Sequence, residues 1–241
     1  MSTATVWLAR ASRNCWPACP SGRPCSRKPT LTDRGIASVS TLLILGAGGH
    51  GRVVADAALE QGAWQGVRAT DRDPARCIGE LISGVPLQPL HEAVSSGAEV
   101  HVAIGNGGAR RAESALITAS RLTSVVHPGA SVSAHAKLGP GCFVAAQAVV
   151  AAGARIGAGV IVNHAAVVDH DVEVGDFSHI APRATLGGGV RVGSDVLVGS
   201  GATVLPGLSI CDSTVVGAGA VVTASIAQAG VYTGIPARRK K

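Results

Sequence analysis

The stretch FVAAQAVVAAGARIGAGVIV, residues 143–162, carries an aliphatic residue at every sixth position. The same spacing runs without interruption from Val126 to Val222, where seventeen successive sixth positions are Val, Ile or Leu. A period of six fits neither the 3.6-residue helix nor the two-residue strand, and it is typical of a parallel β-helix whose hexads each form one side of a coil. We therefore predict an all-β parallel β-helix over residues 126–227, with the repeated aliphatic side chains pointing inward.

The segment before the repeat, residues 41–125, has the pattern of a small α/β domain. TLLIL at 41–45 predicts a buried strand, and residues 52–61 have helical spacing. Two further strands are predicted, GVRATD ending at Asp71 and EVHVAIGN ending at Asn106, and a helix is predicted over 109–121. A β-α-β unit of this size supplies one nucleotide half-site rather than the two halves of a dinucleotide-binding sheet.

The two ends of the chain differ from the rest in charge. Residues 1–40 carry six Lys or Arg against one Asp, and the predicted tail at 228–241 ends in four basic residues. The residues between, 41–237, hold 11 basic and 14 acidic side chains. The net charge of +6 therefore comes from the ends and does not indicate a nucleic-acid partner. We expect residues 1–40 to be a disordered extension.

Cysteine usage and hydropathy bear on the cellular compartment. The six cysteines are scattered, and Cys15, Cys19 and Cys25 have no fourth ligand at the spacing of a zinc site. No run of 18 apolar residues is present, so no membrane-spanning helix is expected. We therefore predict a cytoplasmic protein with reduced thiols.

A glycine-rich turn follows the first predicted strand. Gly46, Gly48 and Gly51 form G-x-G-x-x-G, and Asp71 follows 20 residues after Gly51. Glycines let the backbone approach phosphates, a helix N-terminus supplies N–H groups, and an acid at this spacing can accept from ribose hydroxyls. A turn that only joins strand to helix is the alternative interpretation.

Residues 163–180, NHAAVVDHDVEVGDFSHI, hold three of the eight histidines. His170 stands between Asp169 and Asp171. Histidine suits a general base because its ordinary pKa, about 6.5, leaves it largely neutral at working pH, and a neighbouring carboxylate can orient the ring.

Together with GAGGHG at 46–51, AIGN at 103–106 and the hexads, this segment resembles the hexapeptide-repeat sugar O/N-acyltransferases. That family includes enzymes that acetylate the amine of nucleotide-linked amino sugars, of the UDP-4-amino-sugar and GDP-perosamine types, and the sialic acid O-acetyltransferases. The resemblance implies a left-handed β-helix, a homotrimer, acetyl-CoA as co-substrate and no metal. It also implies that the small N-terminal domain holds the nucleotide sugar.

The resemblance further implies roles for individual residues. His170 is the expected general base, Asp171 its orienting partner, and His179 a residue beside the acetyl group or the coenzyme. Asn163 is expected to bind the sugar or to organise His170, and we expect a backbone N–H at a coil corner to stabilise the oxyanion. The candidate contacts to the nucleotide sugar are Gly48, Gly49, His50, Asp71 and Gly105, and those to the coenzyme are Gly188, Ser200 and Ala218. Arg72 stands where the family often has another acid, which leaves the preference for a nucleotide base open.

Other functions fit the same pattern. O-acetylation of a sialic acid or another sugar uses the same fold, and a noncatalytic trimeric scaffold would not bind acetyl-CoA. His164, His170 and His179 could instead hold a catalytic zinc, as in the γ-type carbonic anhydrases. A metal hydratase would not need the N-terminal domain. We predict N-acetylation of a nucleotide-linked amino sugar, with sugar O-acetylation as the main alternative.

Overall fold

The structure, a computed structural model, describes residues 40–95 and 97–240. It consists of an N-terminal α/β region followed by a parallel β-helix, which confirms the predicted fold class. The extension predicted for residues 1–40, apart from Ser40, and the cysteines at 15, 19 and 25 lie outside the described residues.

The α/β region is built around a three-stranded parallel sheet. Its helices and strands are β1 (Thr41–Leu45), α1 (Gly49–Gln61), β2 (Gly66–Thr70), β3 (Glu80–Ile82), β4 (Val85–Pro86), α2 (Leu90–Ser95), β5 (Glu99–Val102) and α3 (Gly107–Ser114). Because β1 lies between β2 and β5, the carboxyl ends of β1 and β5 are where parallel sheets of this kind commonly form a binding crevice.

The helix predicted over 109–121 has different bounds in the structure. α3 begins at Gly107 because the Asn106 side chain accepts a hydrogen bond from Ala109 N at 2.9 Å and caps the helix. It ends at Ser114, and a short 3₁₀ turn, Ala119–Arg121, follows after Thr118, whose backbone is not helical.

The β-helix has seventeen two-residue strands, and each ends on one of the aliphatic residues of the six-residue series. These strands are β6 (Val125–Val126), β7 (Ser131–Val132), β8 (Lys137–Leu138), β9 (Phe143–Val144), β10 (Val149–Val150), β11 (Arg155–Ile156), β12 (Ile161–Val162), β13 (Val167–Val168), β14 (Glu173–Val174), β15 (His179–Ile180), β16 (Thr185–Leu186), β17 (Arg191–Val192), β18 (Leu197–Val198), β19 (Thr203–Val204), β20 (Ser209–Ile210), β21 (Val215–Val216) and β22 (Val221–Val222). Stacked coils bury the second residue of each strand from β9 to β22 in one continuous core, and those of β6, β7 and β8 pack against it partly buried.

Parallel pairing with a period of eighteen residues arranges these strands into three faces. The first face contains β6, β9, β12, β15, β18 and β21, the second contains β7, β10, β13, β16, β19 and β22, and the third contains β8, β11, β14, β17 and β20. The C-terminal residues continue the first face as β23 (Val231–Thr233) and β24 (Arg238–Arg239).

Each coil turns at three corners, which we number in chain order. The first corner joins the first face to the second and includes His164 and Ala165, the second joins the second face to the third and includes His170 and Asp171, and the third returns to the first face through Phe177. Ala165, Asp171 and Phe177 adopt positive φ angles of 53°, 57° and 57°. The second corner is therefore opposite the first face.

The α/β region packs against the first face of the early coils. The outward side chains of Phe143 and Ile161 are buried in one cluster with Leu42, Ile44 and Val54. The rest of the chain's outward positions are mostly polar or partly exposed, so this contact fixes which side of the β-helix carries the α/β region.

Candidate active site

The second corner presents a histidine and a carboxylate to solvent. His170 Nδ1 lies 3.0 Å from Asp171 Oδ2, and the His170 side chain is 64% exposed. A carboxylate only accepts hydrogen bonds, so Nδ1 carries the proton and Nε2 retains its lone pair. The hydrogen bond to Asp171, with the charge of Asp169, raises the pKa of His170 above its ordinary value.

Glycines in the neighbouring coils make room for this pair. The corner stacks Gly153 below Asp171 and Gly188 beside His170, and Gly189 N donates to His170 O at 2.9 Å. A Cβ on Gly188 would lie 2.6 Å from Cε1 of the His170 ring, and one on Gly153 would overlap the Asp171 carboxylate. The imidazole is therefore held against the backbone of the next coil.

A second polar group lies on the first face, where β12 ends. Asn163 Oδ1 accepts from His164 N at 2.8 Å, so the Asn163 amide nitrogen faces His179 Nε2, 3.1 Å away. An amide nitrogen only donates, so His179 Nε2 accepts and Nδ1 carries the proton. Burial and then the charge of Arg110 lower the pKa of His179 to about 4.

The glycine-rich turn contains two kinds of glycine. Gly46 has a φ of 124° and a Cβ there would lie 2.7 Å from Ala103 O, while a Cβ on Gly51 would overlap Gly46 O. These two are required by packing. Gly48 and Gly49 at the start of α1, and Gly105 after β5, instead face open space within 4 Å of the Cβ position, so a ligand could reach their backbone.

Asp71 supports this turn from the end of β2. Its Oδ2 accepts from Ala47 N at 2.8 Å and its Oδ1 accepts from Asp73 N at 3.0 Å. Arg72 does not point into a free site, because its guanidinium is paired with the carboxylate of Glu113 on α3. Asp71 thus shapes the glycine-rich turn, and each oxygen keeps a further lone pair for a ligand.

His50 lies between the glycine-rich turn and the first face. Its ring meets Phe143 edge-on, with the ring centroids 5.3 Å apart, and its Nε2 is buried without a hydrogen-bond partner. Burial, followed by the nearby His101 and His179, lowers its pKa to about 3. His50 is therefore a neutral imidazole whose buried Nε2 has no hydrogen-bond partner in the structure.

The predicted site residues thus fall into separate groups within one chain. Asn163 and His179 lie on the first face with His50 of α1 close to His179, whereas His170, Asp171 and Gly188 lie at the opposite corner. Ser200 and Ala218 stack above His164 at the first corner, as the backbone hydrogen bonds from Arg183, Gly201 and Gly219 show.

One residue of this region was not predicted from the sequence. Arg110 on α3 is 1% exposed and donates hydrogen bonds to carbonyl groups of both the α/β region and the β-helix.

In residues 40–95 and 97–240, no cluster of three His, Cys, Asp or Glu side chains has the arrangement of a metal site. None of the helices described is long and apolar enough to cross a membrane.

Comparison with known proteins agrees with this architecture. Residues 41–114 match the PglD N-terminal domain family. The acetyltransferase domain of PglB from Neisseria gonorrhoeae is 34% identical, with a TM-score of 0.77 over 83% of this chain and 99% of that one. PerB from Caulobacter crescentus, solved with CoA and GDP-perosamine, is also 34% identical, with a TM-score of 0.76 over 85% of this chain and 99% of that one. No curated protein matches the chain significantly.

The α/β region, the hexapeptide coils and the exposed histidine corner define an acyltransferase of the hexapeptide-repeat class. Within this class, sequence identity of 34% over more than four fifths of the chain identifies the family. The chain belongs to the family of hexapeptide-repeat sugar acetyltransferases that includes the PglB acetyltransferase domain and PerB.

Proposed function

We propose that the protein transfers the acetyl group of acetyl-CoA to the amine of a nucleotide-linked amino-deoxy sugar, with His170 as general base. The observation that carries this proposal is the exposed His170 ring, oriented by Asp171 and supported by Gly188, with Nε2 free to accept a proton. The relatives support the substrates, since the PglB domain was solved with acetyl coenzyme A and PerB with CoA and GDP-perosamine.

The chemistry follows from these groups. The sugar amine attacks the thioester carbonyl carbon, and His170 Nε2 takes a proton from the amine nitrogen. The tetrahedral intermediate then expels the coenzyme A thiolate as the C–S bond breaks, and the thiolate takes the proton from the imidazolium. Asp171 stabilises the charged ring between these two transfers.

The nucleotide half of the substrate fits the crevice at the carboxyl end of β1. The open backbone of Gly48, Gly49 and Gly105 and the N-terminus of α1 suit the diphosphate. The remaining lone pairs of Asp71 suit a ribose hydroxyl, and the unpaired Nε2 of His50 suits a polar group that lies between crevice and β-helix. Ser200 and Ala218 at the first corner, with Gly188 at the second, are our candidates for contacts to the coenzyme.

We also propose that the active form is a homotrimer and that each active site uses two chains. The crevice lies over the first face, whereas His170 lies at the opposite corner, so a sugar held by one chain is placed to meet His170 of a neighbouring copy. The second face supports such packing, because its outward positions form an uncharged ladder: Val149, Val167, Thr185, Thr203 and Val221. The third face instead exposes charged side chains, namely Lys137, Arg155, Glu173 and Arg191.

We further propose a compartment on the basis of the substrates and the thiols. Cys77, Cys142 and Cys211 are free, which suits a reducing compartment. We therefore place the protein in the cytoplasm, where acetyl-CoA and nucleotide sugars are made, as a source of acetylated sugars for polysaccharide biosynthesis.

The test is thiol release from acetyl-CoA with a panel of UDP-, GDP- and dTDP-linked amino sugars, alongside free sialic acid. We expect thiol release with at least one amino sugar nucleotide and a product heavier by one acetyl group. Release with sialic acid alone would replace the N-acetyl assignment with O-acetylation. Absence of release with every acceptor, in a protein that contains tightly bound zinc, would favour the metal hydratase instead.

A further inference from the structure

Arg110 is a buried cation whose recorded hydrogen-bond partners are all backbone carbonyls. Its Nε donates to Gly159 O at 2.7 Å, its Nη1 to Ile104 O at 2.6 Å and Gly105 O at 3.0 Å, and its Nη2 to Phe177 O at 2.6 Å. Burial lowers its pKa to about 10, which leaves the guanidinium charged at neutral pH. A buried charge held by carbonyl dipoles is costly unless each donor is satisfied, so these contacts are geometrically demanding.

The carbonyls that Arg110 binds belong to two functional segments. Ile104 and Gly105 follow β5 at the edge of the open crevice, where the glycine backbone is accessible. Phe177 and Ser178 form the third corner and lead directly into His179, with Ser178 O 3.4 Å from Nη2. One guanidinium therefore connects the crevice loop to the residue that precedes His179.

The His179 ring is constrained from both directions. Asn163 binds Nε2 from the preceding coil, as described above, and Arg110 binds the two carbonyls before the ring. The charged or titratable groups that face the ring are Arg110 from α3 and His50 from α1. A neutral ring whose Nδ1–H donates could stabilise the oxyanion of an attacked thioester without giving up its proton.

We propose that Arg110 is a positioning residue for acetyl transfer, which fixes the His179 ring with Nδ1 as its donor nitrogen relative to the crevice loop at Ile104 and Gly105. This inference rests on the proposed function. Arg110 lies on α3, outside the hexad repeat that predicts the other site residues. It takes no direct part in the proposed acetyl-transfer steps. The positive charge also disfavours an imidazolium at His179, in agreement with the lowered pKa of that ring.

The matched control is Arg111, the next residue on the same helix. Arg111 Nη2 lies 2.6 Å from Asp195 Oδ2, and its guanidinium stacks over Phe177 at 4.4 Å. It therefore docks α3 on the same corner without contacting the carbonyl groups next to His179. If the two arginines only dock α3 on the β-helix, variants of both should lose a similar amount of kcat. If Arg110 also positions His179, only the Arg110 variants should change the His179 spectrum and lower kcat.

The experiment compares Arg110→Met, Arg110→Lys and Arg111→Met as full-length assemblies. Ring ¹⁵N spectra of His179, assigned with a His179→Gln variant, report its tautomer and titration without substrate, and steady-state assays separate kcat from KM. For Arg110→Met we expect His179 to titrate at higher pH, to lose its single tautomer, and kcat to fall about tenfold or more. Arg110→Lys keeps the positive charge but loses the planar guanidinium that reaches several carbonyl groups at once. Its kcat should therefore lie between those of the wild type and Arg110→Met.

Arg111→Met should leave the His179 spectrum unchanged and kcat within about twofold, even if unfolding occurs at lower temperature. A folded Arg110→Met variant with the wild-type His179 spectrum, or equal kcat losses in the Arg110 and Arg111 variants, would overturn the inference. If Arg110→Met does not fold, the same comparison applies to Arg110→Lys. Failure of the wild type to transfer acetyl would refute the proposed function, while the spectra would still test the link between Arg110 and His179.

Discussion

Gly188 lies against the Nε2 edge of the His170 imidazole from the next coil, and a Cβ at this position would lie closest to Nε2, 2.6 Å from Cε1 and 3.1 Å from Cδ2. No side chain fits between the ring and the backbone at this point. The His170 ring is therefore positioned by two contacts, the hydrogen bond to Asp171 and the packing against Gly188.

Replacing Gly188 by Ala should displace the ring and lower kcat/KM by about tenfold or more, because small misplacements of a general base are costly. Gly189→Asn is the control, since residue 189 has a φ of 67°, which Asn tolerates, and its Cβ would meet nothing within 4 Å. Steady-state kinetics of both variants would check this. Equal activity in Gly188→Ala and wild type would mean that the ring position is not important.

His170→Ala should lower kcat by about 100-fold or more, in line with the contribution of a general base, while the assembly stays intact. His164→Ala is the matched control, because His164 has the same place at the first corner but no adjacent carboxylate. Turnover numbers and light scattering of both variants give the comparison. Wild-type turnover in His170→Ala would remove His170 from the mechanism.

The pH dependence of the rate should report the Asp171 hydrogen bond. His170 acts in its neutral form, and its raised pKa places the loss of activity on acidification above pH 6.5. Asp171→Asn removes the largest cause of that shift, so the acid limb of the kcat/KM profile should move to lower pH. The maximal rate should fall less than in His170→Ala. An acid limb that does not move would show that another group controls it.

Acid should destabilise the fold through its buried histidines. The pKa values of His50, His101 and His179 are lowered to about 3, 4 and 4, so between pH 6.5 and 4 the unfolded chain binds more protons than the native one. The free energy of unfolding should therefore fall as the pH falls through this window, with His101 contributing on the order of 3 kcal/mol.

Urea unfolding at several pH values would measure this slope. His101→Gln keeps a donor for Thr123 O, which lies 3.0 Å from His101 Nδ1, but removes the titration. The slope should be reduced in this variant and unchanged in His91→Gln, whose side chain is 81% exposed. An unchanged slope in His101→Gln would contradict the assignment.

Much of this architecture could be predicted because the hexad period is local in sequence. Each predicted aliphatic position ends a strand, since a missed hexad would leave a gap in the stacked core. The corner that carries each residue also follows from counting by eighteen: Gly188 is one coil after His170, whereas Ser200 is two coils after His164. The predicted coenzyme contacts therefore lie at two corners, Gly188 at the second and Ser200 with Ala218 at the first.

Contacts between the two regions could not be predicted in the same way. The burial of Arg110 depends on how α3 meets the third corner, and a helical pattern gives no measure of that. One signal was available: Phe143 and Ile161 are large apolar residues at outward positions of the first face, whereas the outward positions of the third face carry Arg155 and Glu173. That difference marks the first face as the surface that the α/β region covers.

A complementation experiment with two inactive chains tests whether the active site is shared. Gly48→Tyr fills the open crevice at an extended backbone position, with φ −87° and ψ −169°, and His170→Ala removes the base. If each site combines the crevice of one chain with His170 of another, assemblies of the two variants in equal amounts should recover about a quarter of wild-type acetyl transfer. Recovery of no activity, with mixed assemblies demonstrated by their tags, would contradict the shared active site.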